Sequence, residues 1–198
     1  MTRNKIIGIT GITGSGTSTV AKILEQQGGF VINADKLVHE LMRKEQAAFE
    51  KIVATLGVEI LDEDGEINRR KLGTKVFGNA EEMAKLESII HPLVIEKTKQ
   101  LLYGVENPFA VIDAPLLIES GMNKLCGSVW LITADDSIRL ARIQARDKIT
   151  EETAVQRLKS RKGDSFLRPF ADIVIENNDD LSYLEQKTTS KIVQSTIL

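Results

Sequence analysis

Cysteine is nearly absent from this sequence: Cys126 is the single one among 198 residues. One thiol excludes both an intramolecular disulfide and a structural zinc site made of cysteines. Cys126 stands between Leu125 and Gly127, and this setting predicts a buried thiol that packs as a small apolar side chain.

Long apolar runs are also missing, since no stretch approaches 18 uninterrupted apolar residues. We therefore expect neither a membrane span nor a signal peptide, and the expected compartment is the cytoplasm. An excess of one charge is missing as well: 26 Lys and Arg stand against 28 Asp and Glu, for a formal net charge of −2. Such a balance argues against a general nucleic-acid binder.

Internal repeats, low-complexity tracts and linkers are absent too, and the length predicts one domain over residues 1–198. Short apolar runs rich in β-branched residues predict strands at 5–10, 30–33, 109–113, 128–133 and 173–176. Helical patterns between them cover 18–27, 35–56, 80–103, 135–147, 150–161 and 180–194. The alternation predicts an α/β fold whose ligands bind at the carboxyl ends of parallel strands.

The stretch from Asn33 to Phe109 is too long for a single crossover between two strands. It has helical patterns around a polar turn, LDEDGEINRRKL, in which Asp64 and Gly65 favour the turn itself. We interpret this stretch as a mostly helical insertion on the substrate side of the fold.

A glycine-rich loop, GITGITGSGTST at 8–19, follows the first predicted strand and precedes a helical pattern. Its glycines permit positive φ, so that backbone N–H groups can converge on an anion at the start of the helix. Against the phosphate-loop pattern G-x-x-x-x-G-K-[ST], Gly11, Gly16 and Ser18 match, while Thr17 stands where the lysine belongs. The context favours phosphate binding; the alternative is an ordinary glycine-rich turn without a ligand.

Asp35 follows the second predicted strand, and it would emerge beside the glycine loop if the first two strands are neighbours in the sheet. A carboxylate there can orient a hydroxyl nucleophile or accept its proton during phosphoryl transfer. The alternative role is that of a helix N-cap, and the pattern alone favours neither.

Asp113 closes the third apolar run, at the expected carboxyl edge of the sheet. An acidic residue in that place can hold magnesium together with a hydroxyl group of the glycine loop, here Ser18. These two residues are the predicted metal ligands.

Arg142 and Arg146 are four residues apart in the helical pattern after the fourth strand, and so project from one helix face. Guanidinium groups so placed suit the oxygens of a transferring phosphoryl group, on a helical pair that can close over the site as a lid. The alternative is a surface helix whose arginines pair with acids such as Asp136 and Asp147. In combination with the glycine loop, the pattern favours the lid.

Together these pieces resemble the dephospho-coenzyme A kinase family over nearly the whole chain. The motifs that carry the resemblance are GITGxxGSGxSTVA at 8–21, VINADKLVHEL at 31–41, INRRKLGTKVF at 67–77, HPLV at 91–94, DAPLLIE at 113–119, RxxxRD at 142–147 and ADIVIENN at 171–178. Each motif is weak alone, but their order and spacing together are specific.

The resemblance implies a P-loop NTPase-type, three-layer α/β fold: a five-stranded parallel sheet with a helical substrate-binding insertion and a lid. The core would cover about 1–35, 105–140 and 165–198, the coenzyme-A-binding insertion about 36–104, and the lid about 141–164. A monomer or small homo-oligomer is expected, without a nucleic-acid or membrane partner.

The reaction that the resemblance implies is phosphorylation of the 3'-hydroxyl of dephospho-CoA by ATP, the last step of coenzyme A synthesis, with Mg²⁺ as the metal. Catalysis would fall to Asp35, Arg142 and Arg146. ATP would be bound by Gly14, Ser15, Gly16, Thr17, Ser18 and Thr19, and the acceptor by Asp35, Arg69, His91 and Leu116.

Thr17 departs from the family, which like most P-loop enzymes aims a lysine at the β- and γ-phosphates from this position. Losing one transition-state contact typically costs about 3 kcal/mol, or roughly a hundredfold in rate. Arg161 stands where relatives usually have glutamine, and we hypothesise that Arg161, or a lid arginine, supplies the missing charge. Two alternatives stay open: an impaired paralogue that binds a nucleotide or a CoA-like ligand as a regulator, and another nucleoside or nucleotide kinase.

Overall fold

The computed structural model describes residues 1–159 and 163–196. Its strands are β1 (Ile6–Gly11), β2 (Phe30–Asn33), β3 (Ala110–Asp113), β4 (Ser128–Thr133) and β5 (Ile173–Glu176). Its helices are α1 (Thr17–Gln26), α2 (Ala34–Leu41), α3 (Phe49–Leu56), α4 (Arg69–Val76), α5 (Ala80–Leu102), α6 (Asp136–Asp147), α7 (Glu151–Lys159), α8 (Asp164–Leu167) and α9 (Leu181–Thr196). The bounds of every predicted strand are correct to within one residue.

The strands form one sheet in the order β2-β3-β1-β4-β5, which confirms the predicted five-stranded parallel sheet. β1 is the central strand, with β3 in parallel register on one side and β4 on the other. Because β3 lies between β2 and β1, the first two strands are not neighbours. The condition under which Asp35 was expected to emerge beside the glycine loop is therefore not met.

The central strands of the sheet, β1, β3 and β4, are buried on both faces, because their side chains alternate between the two sides and meet other parts of the protein on each. One face packs against α1 and α9 in a cluster that includes Ile9, Leu24 and Trp130. The opposite face carries a smaller cluster with Leu131 and Leu167, the latter from α8. Helices on both sides of a sheet give the three layers of the fold.

The chain separates into two compact units, Met1–Ile32 with Gly104–Leu198 and Asn33–Tyr103. The first contains β1, β3, β4, β5 and the first three residues of β2. The second is helical: α2, α3 and α4 each pack against the long helix α5. No helix in the described part of the chain is long and apolar enough to cross a membrane.

Asparagine side chains cap the N-termini of three helices in the second unit. The side chain of Asn33 accepts the N–H of Lys36, and Asn68 and Asn79 cap α4 and α5 in the same way. A capping side chain pairs N–H groups that would otherwise lack a partner in the first turn.

The predicted single helix over 35–56 is wrong, because α2 and α3 are separate helices. Glu45, between them, has φ 69°, and this left-handed conformation interrupts the ladder of helical hydrogen bonds. Met42 and Ala48 are nevertheless buried, so the apolar spacing continues across the break. The short helices α4 and α8 are not among the predicted helical patterns.

Cys126 is buried, as predicted, and its burial raises the pKa of the thiol to about 12. It packs against the middle of β1, where a Cβ added at Gly8 would lie 2.6 Å from Cys126 Sγ and 2.7 Å from Leu117 Cδ2. The central strand therefore has no room for a side chain at residue 8.

We expect Gly8→Ala to lower the free energy of unfolding by about 1–3 kcal/mol, because the new methyl group overpacks a buried contact. Gly73→Ala is the matched control, since a Cβ at Gly73 in α4 meets nothing within 4 Å. Gly73→Ala should raise the free energy of unfolding by about 1 kcal/mol, because alanine has a higher helix propensity than glycine. Urea unfolding measures both changes, and equal effects of the two substitutions would contradict the packing argument.

Candidate functional site

The chain turns sharply where β1 ends and α1 begins, and glycines make the turn possible. Gly14 and Gly16 have φ of 85° and 99°, in the region that other residues rarely adopt. A Cβ at Gly11 would lie 2.3 Å from the carbonyl oxygen of Ile132. One internal bond, from the N–H of Ser15 to the carbonyl of Ile12 at 3.0 Å, ties the turn together.

The amides of this turn are left for a ligand. Among the residues that the structure describes, none accepts a hydrogen bond from the N–H groups of Gly14, Gly16, Thr17 or Ser18. Gly16 is the N-cap of α1, so the positive end of the helix dipole adds to the same place. The turn thus fits a phosphate group, which accepts hydrogen bonds from such a cluster of amides.

Thr17 and Ser18 are the first residues of α1, and their side chains differ in surroundings. Thr17 is partly buried, and its Cγ2 would lie 3.1 Å from a Cβ at Gly11, so its methyl group packs under the loop. Ser18 is exposed. Neither side chain carries a charge, so within the turn itself only the backbone amides and the helix end can attract an anion.

Asn177, just after β5, holds the loop from behind. Its side chain is buried, and its Nδ2 donates a hydrogen bond of 2.8 Å to the carbonyl oxygen of Ser15. Its Oδ1 lies 3.4 Å from Nη2 of Arg142, whose Nη1 lies 3.5 Å from the carbonyl oxygen of Gly14. Arg142 is therefore at the loop, where its positive charge adds to that of the helix end.

Arg139, one turn before Arg142, is a buried charge behind the loop. A Cβ at Gly14 would come within 2.9 Å of the Arg139 carbonyl oxygen, so the loop backbone rests directly on α6. The Arg139 side chain is 9% exposed, and its guanidinium pairs with Asp136 and, at 3.6 Å, with Asp164. A buried guanidinium needs such carboxylates, because an unpaired buried charge is strongly unfavourable.

Arg146 is placed differently from Arg142. Its side chain is 61% exposed, and it donates to both carboxylate oxygens of Asp147, at 2.7 and 2.9 Å. These bonds, together with the charges of Arg146 and Arg157, hold the pKa of Asp147 below its usual range. For Arg146, the salt-bridged surface arrangement is thus what the structure shows.

Asp113, the predicted metal ligand, ends β3 and is buried, with its Cα opposite that of Ile9 in β1. The register therefore sets Asp113 level with Ile9, two residues before Gly11, where the glycine loop leaves β1. In the described part of the chain, no group of three or more His, Cys, Asp and Glu side chains could hold a metal ion. One carboxylate and one hydroxyl suit Mg²⁺, which usually keeps several waters and binds substrate phosphates.

The predicted acceptor residues lie mostly in the helical unit. Asp35 is exposed in the first turn of α2, and the N-cap of that helix is Asn33, so the capping role considered for Asp35 is wrong. Arg69 is exposed at the first position of α4, and His91 is partly buried in the middle of α5. Leu116, in the first unit, is partly buried in the segment after β3.

Two residues that touch the loop were not among the predicted site residues. Asn177 follows the last predicted strand, and Arg139 lies in the arginine-rich helix. A usable signal for Asn177 was its place just after a predicted strand, at the carboxyl edge where ligands bind. Arg161, in the charge hypothesis, lies outside the residues that the structure describes.

Comparison with known proteins gives a consistent result. A family model described as dephospho-CoA kinase matches residues 5–182. A dephospho-CoA kinase of Fusobacterium nucleatum subsp. nucleatum is 41% identical over 182 residues, which are 92% of this chain and 94% of the relative.

Two solved structures are similar over nearly the whole chain, each at 28% identity. TT1252 from Thermus thermophilus has a TM-score of 0.81, with 96% of each chain covered. The dephospho-CoA kinase from Campylobacter jejuni has a TM-score of 0.69, with 97% of each chain covered. These likenesses confirm the predicted P-loop kinase fold. The chain belongs to the dephospho-CoA kinase family.

Proposed function

We propose that this protein transfers the γ-phosphoryl group of ATP to the 3'-hydroxyl of dephospho-CoA, which gives CoA and ADP. The observation that carries the proposal is the loop after β1, whose unpartnered amides lie at the start of α1, where they can bind an anionic phosphate, in a chain of this family. We place the reaction in the cytoplasm, the compartment that the sequence predicts.

On the donor side, residues 14–19 bind the phosphates of ATP through the amides of Gly14, Gly16, Thr17 and Ser18, which have no partner in the described protein, with the N-terminus of α1 behind them. Ser18 and Asp113 would hold Mg²⁺, which neutralises charge on the β- and γ-phosphates during transfer. Arg142 supplies a protein charge at the loop, as its 3.5 Å distance to the Gly14 carbonyl supports.

On the acceptor side, Asp35 accepts the proton of the 3'-hydroxyl as its oxygen bonds to the γ-phosphorus and the bond to the β–γ bridging oxygen breaks. ADP leaves with that electron pair. Arg69, His91 and Leu116 bind the acceptor, an assignment that rests on the family resemblance. The exposure of Asp35, whose helix is already capped by Asn33, supports a ligand role for its carboxylate.

Thr17 favours one alternative, a paralogue that binds the same ligands with little or no turnover. A threonine side chain is uncharged and too short to contact the β- and γ-phosphates from the position of the family lysine. Because the loop backbone is intact, nucleotide binding and turnover are separable properties of this chain, and an experiment must measure both.

The first test combines turnover with binding. A coupled assay should show ADP release with dephospho-CoA and none above background with a panel of nucleosides. Thermal unfolding should show stabilisation by Mg-ATP and by dephospho-CoA, about 2.7 kcal/mol at a hundred times the dissociation constant. Stabilisation without ADP release would favour the regulatory paralogue, and neither effect would contradict both functions.

Asp35→Asn should lower kcat about a hundredfold, since a positioned general base typically contributes at least that much. The KM for ATP should stay unchanged. Asp64→Asn, an exposed aspartate in the turn of the same unit, is the matched control and should leave kcat unaffected. A kcat for Asp35→Asn within twofold of the parent would remove the proton-accepting role.

Thr17→Lys should raise kcat by roughly a hundredfold, because it restores a charge to the triphosphate in the transition state. Thr13→Lys puts the same charge elsewhere in the loop and should give no comparable gain. Steady-state kinetics with Mg-ATP and dephospho-CoA measures both variants.

No gain from Thr17→Lys would mean that another charge already acts there. In that case Arg142→Ala should lower kcat far more in the parent chain than in the Thr17→Lys background. The same comparison with Arg161→Gln tests the second candidate. Losses that are equal in both backgrounds would contradict compensation by the residue concerned.

A further inference from the structure

We propose that Asn177 is a positioning residue: it fixes the direction of the Gly16 amide in the loop that binds phosphate. The inference rests on the proposed function of that loop. It assigns a role to a side chain that touches only the back of the loop.

The contact between Asn177 and the loop is short and fully enclosed. Asn177 is 6% exposed, and its Nδ2 lies 2.8 Å from the carbonyl oxygen of Ser15. The backbone of Asn177 is itself fixed, because its N–H donates to the carbonyl of Thr133 in β4 at 2.8 Å. The side chain therefore ties the loop to the end of the sheet.

Because of the geometry of the peptide bond, this contact sets the direction of the Gly16 N–H. The carbonyl of Ser15 and the N–H of Gly16 belong to one peptide unit, which is planar and trans, so the two groups point in opposite directions. A bond that holds the Ser15 oxygen toward Asn177 aims the Gly16 N–H away from it. No described residue accepts from that N–H, which leaves it for a ligand.

Gly16 is required by the same contact. A Cβ at residue 16 would lie 2.2 Å from Nδ2 of Asn177, so a side chain there would displace the amide group. The positive φ of Gly16, 99°, is a second and independent requirement. The glycine that the loop pattern demands is thus the one that lets Asn177 approach.

The other end of the amide faces the arginine of the site. Oδ1 of Asn177 lies 3.4 Å from Nη2 of Arg142, and the same guanidinium lies 3.5 Å from the Gly14 carbonyl. An aspartate at 177 would keep the oxygen toward Arg142 but would turn an acceptor toward the Ser15 carbonyl. Alanine removes both bonds, so the two substitutions separate the donor from the acceptor role.

The experiment measures the affinity for Mg-ATP and for dephospho-CoA by isothermal titration calorimetry in the parent, Asn177→Ala and Asn177→Asp. We expect Mg-ATP to bind at least about tenfold more weakly in both variants. Without the Asn177 donor, the buried carbonyl of Ser15 has lost its hydrogen bond, and the loop is no longer held in one orientation. Dephospho-CoA should bind as in the parent. In kinetics the KM for ATP should rise by a similar factor.

Asn178→Ala is the matched control, because among the described residues the side chain of Asn178 hydrogen-bonds with Asp135 and not with the loop. It should leave the affinity for Mg-ATP unchanged. As a local measurement at the loop itself, the Gly16 amide resonance of the parent should shift when Mg-ATP is added, and this shift should be lost in Asn177→Asp.

The outcomes separate the two claims. Equal Mg-ATP affinity in the parent and both Asn177 variants, or an equal loss for Mg-ATP and dephospho-CoA, would overturn the positioning role while the proposed function stands. A parent chain that binds neither Mg-ATP nor dephospho-CoA would overturn the proposed function, and the role of Asn177 with it.

Discussion

The site depends on one constraint, the burial of β1 on both faces and along both edges. β1 has a neighbouring strand on each side, so its carbonyls and amides are paired with those strands until it ends at the carboxyl edge of the sheet. The chain must then turn at once, with backbone from β4 and α6 in direct contact. Glycine is the residue that tolerates such contacts, and the turn leaves amides unpaired that an anion can accept hydrogen bonds from.

The fold follows from local patterns that are strong in this chain. The strands were located to within a residue, because short runs that are apolar on both faces are typical of buried parallel strands. The glycine loop was recognised because both its glycine spacing and its place between a strand and a helix are visible in the sequence. Where helical spacing runs on through a break, as at Glu45, the sequence does not reveal the break.

Parts of the site were beyond such patterns. Asn177 contacts a loop residue 162 positions away, and no periodicity reports on a contact of that kind. Asp35 had two plausible roles, and only the structure showed that Asn33 takes the cap. Arg142 and Arg146 share a spacing that predicts one face, yet one lies at the loop and the other pairs with Asp147, because tertiary contacts decide between partners.

The carboxylate of Asp147 has a consequence for any motion of the arginine helices. It contacts Arg146 from α6 and Arg157 from α7 together. Were Arg146 to turn toward a bound triphosphate, it would exchange one anionic partner for another, and Asp147 would keep Arg157 as its counter-ion. The exchange would then leave neither the carboxylate of Asp147 nor the guanidinium of Arg146 without an oppositely charged partner.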